Sequence, residues 1–251
     1  NRIDAATMVR LNARAELDKV AFADVAREFL GSAAQGRTGL WAALAAPDFG
    51  RLLAEHLWLV FASVALAALT GIPLGVIAAK IPWTAQPVLA LTGLLQTIPA
   101  LALLAFLIPV TGTIGLWPAL IALFLYALLP IARNTHTGLT QVPPGLVQAA
   151  RALGLLPGSI LARIELPLAA PTIMAGVKTS AVISVGTATI AAFIGAGGFG
   201  ERIAQGLALN DNATLLAGAI PAAGLALAVQ GAFELAERRL GRPARTPASH
   251  S

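Results

Sequence analysis

The groups that could do chemistry in this chain are few and far apart. His56, His136 and His250 have no second ligand at metal spacing. No pair of carboxylates lies in the long apolar stretches, where a membrane hydrolase would need acid, base or metal groups. There is no cysteine, so no disulfide framework, redox motif or thiolate metal site exists. Gly195 to Gly200 satisfies G-x-G-x-x-G. A dinucleotide site, however, needs a preceding strand and a βαβ unit. A long apolar segment precedes this one, so it reads as a tight turn. Gly31 to Thr38 nearly matches a phosphate-binding loop, with Arg37 in place of the lysine and no strand ahead of it.

Lys178 is the one ionisable residue well inside an apolar stretch, where such groups are costly and often functional. Thr172, Gly176, Ser180, Ser184 and Thr187 form a small, polar stripe on the same helix, nearly opposite Lys178. Both faces cannot line one pore. Either the stripe packs helices closely and Lys178 faces a pathway, or the stripe lines it and Lys178 snorkels toward the cytoplasmic end.

These residues must be held by membrane helices. The chain is 57% hydrophobic and 12% charged, against about 25% charged in ordinary soluble domains, and its mean hydropathy is +0.78. Five apolar spans are expected, each near the length that about 30 Å of hydrocarbon requires. They run at about 57–79, 88–110 with a kink at Pro99, 116–132, 168–194 and 213–235. Gly71 and Gly75 flank Pro73 and predict a close helix contact or a kink. The net charge of +5 does not point to nucleic acid. Lys80, Arg133, Arg151, Arg163, Arg238, Arg239, Arg242 and Arg245 all fall on one side if the spans alternate, and that side is cytoplasmic. Five spans then place the N-terminus outside and the C-terminus inside.

The long polar-punctuated segment is Gln141 to Pro167, QVPPGLVQAARALGLLPGSILARIELP. Pro143 and Pro144 stop one helix and open another. Leu146, Ala149, Ala150 and Leu153 recur at helical spacing and make one apolar face. Gly154 ends that helix. Pro157 opens a second, whose apolar side is Ile160, Leu161 and Ile164, and Pro167 closes the unit. Too short and polar to span a bilayer, it suits a cytoplasmic loop that docks on another protein.

Gln148-Ala149-Ala150, three residues, Gly154, nine residues, Ile164-Glu165-Leu166-Pro167 resembles the EAA loop of permease subunits of binding-protein-dependent ABC importers. Every fixed position matches except the first, where Gln148 stands for Glu. The flanks Gln96–Pro109, Leu128–Leu139 and Gly186–Gly200 resemble the permeases of glycine betaine, carnitine and choline importers over about residues 55–235. The resemblance implies an all-α integral membrane protein with the five-span transmembrane domain of a type I ABC importer at 51–237. It implies that Gln148, Ala149, Ala150, Arg151, Gly154, Ile164, Leu166 and Pro167 couple to an ATPase subunit. A translocation pathway would draw on Lys178, Ser180, Ser184, Thr187, Asn134 and Pro99; Asn134 matches an R-N-T element but also reads as a cap at a helix end. ATP and magnesium would be bound by the partner ATPase and no cofactor by this chain. A second permease would complete a dimer in the membrane lipid.

Asn1 to about Leu30 is different material, rich in acid. Asp4 is placed to cap a helix carrying Met8 and Leu11, and Phe22, Val25, Ala26, Phe29 and Leu30 mark one face of another. Two such helices cannot bury a core alone. The stretch resembles the tail of osmoprotectant-binding domains, which implies a substrate-binding domain fused upstream; a first residue Asn1 with no visible signal peptide leads to the expectation of a fragment or a processed chain. An interfacial pre-helix is the alternative. A linker follows at 31–50, and a basic, disordered tail at 238–251. The expected function is import of a small quaternary ammonium osmoprotectant: glycine betaine, choline or carnitine. An importer of ergothioneine, methionine or phosphonate is the alternative, and a membrane enzyme a third.

Overall fold

The computed structural model describes residues 4–20, 24–26 and 39–240, all of the regular structure being helical. Helix α1 (Ala5–Glu16) is capped as expected, the Asp4 carboxylate accepting the Thr7 N–H at 2.8 Å. Residues 24–26 are helical. Phe22, Phe29 and Leu30 of the expected second helix, the Gly31–Thr38 stretch and the 241–251 tail lie outside the described residues.

The expected linker already contains helix. Helix α2 (Leu40–Leu44) precedes the first long helix, α3 (Phe49–Lys80), which begins two turns ahead of its expected start. The reason is a buried stripe that runs on upstream through Leu52 and His56 before Leu59, Ser63, Ala67, Gly71 and Gly75. Such a stripe at intervals of three or four residues keeps one face on the core. Arg51 and Glu55 sit off it. The predicted close contact at Gly71 and Gly75 is present. A methyl at Gly71 would lie 3.1 Å from Ile131, and one at Gly75 would lie 2.6 Å from the Ala132 carbonyl oxygen.

The kink expected at Pro99 is a full break. Helix α4 (Pro82–Thr97) and helix α5 (Ala100–Thr111) meet at 101°. Pro99 has no N–H to donate and disfavours the helical conformation at Ile98, whose ψ is 126°. The freed Ile98 carbonyl is satisfied from helix α6 (Leu116–Thr140), accepting from the Tyr126 hydroxyl, and the Gln96 side-chain amide of α4 donates to the Tyr126 carbonyl at 2.6 Å. Because α6 runs on to Thr140, Asn134 lies inside a helix and is not an end cap.

After the short helix α7 (Pro144–Ala152), one helix of 38 residues, α8 (Pro157–Ile194), passes straight through Pro167. The expected closure of the loop at Pro167 is therefore wrong. A proline in a regular helix strikes the carbonyl four residues back. Here the turn just before it, Leu161–Glu165, is a π turn, and the Leu166 N–H donates to the Leu161 carbonyl five residues back. The widened turn makes room for the ring.

Helix α9 (Gly200–Leu209) was not expected; it follows the tight turn read at Gly195–Gly200 and packs on the last helix, α10 (Asn212–Leu240). Leu59, Val60, Leu123, Val185 and Ala188 form the central cluster where α3, α6 and α8 meet. Among the described residues four helices, α3, α6, α8 and α10, are long and apolar enough to cross a membrane, and the broken α4–α5 pair passes the same test jointly.

Candidate functional site

At the loop end, α7 presents the apolar face that the spacing predicts, but almost none of it is covered. Ala150 is buried, while Leu153 is 81% exposed and Leu156, just beyond, 73% exposed. Leu146, Gln148, Ala149 and Arg151 are exposed as well. Gly154 has φ +80°. Its N–H donates to the Arg151 carbonyl at 2.9 Å, and the Leu155 N–H donates to the Ala150 carbonyl at 3.1 Å. This pair of bonds is the Schellman end of a helix, which needs a left-handed residue at the position Gly154 fills. Pro157 then starts α8. Ile160 is buried, Ile164 and Leu166 are half-buried, and Pro167 is exposed. An apolar helix face left uncovered at the polar end of a bundle is suited to receive a partner.

Motif reading passed over one contact here. Glu165 occupies the variable position of I-x-L-P, is 4% exposed and forms an ion pair with Lys80, the last residue of α3. The available signal was a lone carboxylate in a basic loop. Lys80, Val147, Arg151, Pro157, Ile160 and Glu165 line a cleft of about 360 Å³ between α7 and the bundle.

The six expected pathway residues are divided among three places. Pro99 and Thr187 line one cleft of about 370 Å³ at the break between α4 and α5, together with Gln96, Tyr126 and Ile183. Ser180 and Asn134 lie in the seam between α6 and α8, and Ser184 is buried one turn on from Ser180. The Ser180 hydroxyl donates to the Ala127 carbonyl at 2.7 Å, and a methyl at Gly176 would lie 2.7 Å from both Asn134 Cβ and the Pro130 carbonyl oxygen. The small stripe thus packs helices over this stretch. Lys178 points to α10, where its Nζ pairs with Glu237 at 2.9 Å.

At the opposite end, Gly195, Gly197 and Gly198 all have positive φ. The Gly198 N–H donates to Glu55 at 2.9 Å, and Phe199 is buried beside Phe49 and His56. Arg51 pairs with Glu55 and Glu201, each at 2.8 Å. Arg202, buried, bonds Asp48 at 2.5 Å and the Ala43 carbonyl at 2.6 Å. The hydrogen bond from Arg202 holds the Asp48 carboxyl below its ordinary range. Arg51 and Arg202 at this end are thus matched by acids.

Long apolar helices, a broken pair and an uncovered helical loop make this an integral-membrane type of helical bundle. The family model for the binding-protein-dependent transport system inner membrane component matches residues 71–242, and the chain belongs to this family. It is 41% identical over 186 residues to the choline transport system permease protein OpuBB of Bacillus subtilis, covering 74% of this chain and 85% of that protein. It is 45% identical over 170 residues to the osmoprotectant import permease protein OsmW of Salmonella typhimurium, covering 66% and 79%. To the carnitine transport permease protein OpuCB of Listeria monocytogenes it is 41% identical over 186 residues, covering 74% and 85%. Among solved structures, a chain of the MetNI methionine ABC transporter in an inward-facing conformation superposes with a TM-score of 0.70 at 28% identity, covering 77% of this chain and 96% of that one.

Proposed function

We infer that this permease imports a small quaternary ammonium osmoprotectant: glycine betaine, choline or carnitine. The observation that carries the mechanism is the uncovered apolar face of α7, ended by the Schellman turn at Gly154. In this reading α7 and the start of α8 enter a cleft of an ATPase subunit, which alone binds ATP and magnesium, so this chain is not an enzyme. Two permeases and two ATPases make the transporter, and a solute-binding domain, fused upstream, delivers the solute. ATP binding and hydrolysis in the partner move the loop and switch the pathway between outward and inward states. The solute class is supported by relatives that carry choline, osmoprotectant and carnitine names at 41–45% identity, against 28% for the methionine transporter.

The second span is the broken α4–α5 pair. Two placements support its crossing. Lys80, just before it, lies beside Glu165 at the loop end. Gly115, just after it, lies against the backbone of Gly195 at the other end. Five crossings then place the start of α3 outside and α7 in the cytoplasm. The cleft at Pro99 and Thr187 is the reading's solute path.

The test is uptake by the complete transporter, with permease, ATPase and solute-binding domain, in liposomes. ATP-dependent entry of labelled betaine, choline or carnitine is expected. Entry of methionine, phosphonate or ergothioneine alone would reassign the solute, and turnover of a substrate by the permease without any ATPase would make it an enzyme.

A further inference from the structure

Glu165 sits in the π turn of α8, where the helix carries one residue more than a regular turn. It is a nearly buried carboxylate, and a buried charge requires a paired cation. The cation is Lys80, 85 residues away in sequence, at the end of α3. There it also meets the negative end of the helix dipole. Two residues on, Pro82 opens the broken pair. One ion pair therefore joins the end of the first span, the root of the broken span and the turn from which α8 leaves the loop.

The cleft of about 360 Å³ separates α7 from this pair. Between Gly154 and Pro157 the chain is extended, with no helix bridging α7 to α8. A force on α7 reaches the bundle at two places, through residues 141–143 to the end of α6 and through the start of α8, and on the second route the ion pair at the π turn ties α8 to α3. π turns inside long helices are found mostly at functional positions.

We propose that the Lys80–Glu165 pair is a positioning contact that carries movement of α7 to α3 and to the break at Pro99, keeping ATP hydrolysis linked to solute passage. The proposal rests on the docking of α7 on an ATPase.

The experiment uses the complete transporter in liposomes and reads ATP hydrolysed per solute imported, with the amount of ATPase that co-purifies. Lys80→Gln removes the cation and should raise that ratio about tenfold, a typical size for coupling between sites, at wild-type ATPase content. Lys80→Arg keeps the charge and should stay close to the wild-type ratio. A wild-type ratio in Lys80→Gln overturns the proposal, as does equal loss in Lys80→Gln and Lys80→Arg. A Lys80→Gln chain that fails to insert or to hold the ATPase also overturns it, because the pair is then a folding contact. A wild-type chain that holds no ATPase sinks the docking reading instead, so the two failures are distinct.

Discussion

The Glu55 carboxylate accepts the backbone N–H of Gly198 at 2.9 Å and so ties α3 to a turn 143 residues further on. Gly197 and Gly198 have φ of +87° and +80°, a conformation that only glycine adopts without strain. The hydrogen bond fixes that turn against the helix. Glu55→Ala leaves the Gly198 N–H without an acceptor, at a cost of about 1–3 kcal/mol. Amide exchange at Gly198 is expected to quicken in Glu55→Ala and to stay near wild type in Glu55→Gln, which keeps an acceptor oxygen. Wild-type exchange at Gly198 in Glu55→Ala would show that the carboxylate does not hold the turn.

Gly176 and Gly186 lie on the same helix and should respond oppositely to the same change. A methyl at Gly176 would come within 2.7 Å of the Pro130 carbonyl oxygen, whereas nothing lies within 4 Å at Gly186. Gly176→Ala overpacks the α6–α8 seam and should destabilise by about 1–3 kcal/mol. Gly186→Ala should stabilise by up to about 1 kcal/mol, as alanine is the better helix former. Unfolding midpoints in detergent decide it. A midpoint for Gly176→Ala at or above that of Gly186→Ala would mean the seam is not close-packed.

How much of this could be read in advance follows from the kind of signal each element carries. The long apolar runs of α3, α6, α8 and α10 are visible because bilayer thickness demands them. The turn at Gly154 is visible because a glycine after an amphipathic run has one common use. The depth of the break at Pro99 is not, since proline kinks and proline breaks share one local sequence. What supports a break is the Tyr126 hydroxyl, which donates to the loose Ile98 carbonyl from α6. Nor is the passage of α8 through Pro167, which depends on a π turn that leaves no mark in residue type. Helix α9 was hidden because its ten residues include two glycines and a buried arginine, Arg202, whose partner Asp48 lies 154 residues away. The stripe on α8 was seen, but its packing role could be settled only by α6.

The sidedness of the bundle can be tested without background, because the chain has no cysteine. Asn210, between α9 and α10, and Gln141, at the end of α6, are both exposed. In intact cells, Asn210→Cys should label with an impermeant thiol reagent and Gln141→Cys should label only after permeabilisation. Labelling of both from outside would remove the cytoplasmic assignment of the loop.

Gly154 is where fold and function meet most directly. Its φ of +80° is needed for the two hydrogen bonds that end α7, and a Cβ there would touch nothing within 4 Å. The cost of a side chain within this chain is therefore backbone strain alone. That is about 1 kcal/mol for alanine and more for a β-branched residue. Gly154→Ala should accordingly weaken ATPase binding and uptake modestly. Gly154→Val should abolish uptake, because it both disfavours the turn and adds bulk between Leu153 and Leu156, the exposed residues of the docking face. Gly50, also open but without positive φ and at the far end of α3 from the loop, is the control, and Gly50→Ala should transport normally. Membrane insertion should be unchanged in all three, since the strain lies outside the spans. The measurements are ATPase co-purification, uptake and ATP hydrolysis on the same preparations. Normal ATPase binding together with wild-type uptake in Gly154→Val would show that α7 is not the element through which the ATPase drives transport.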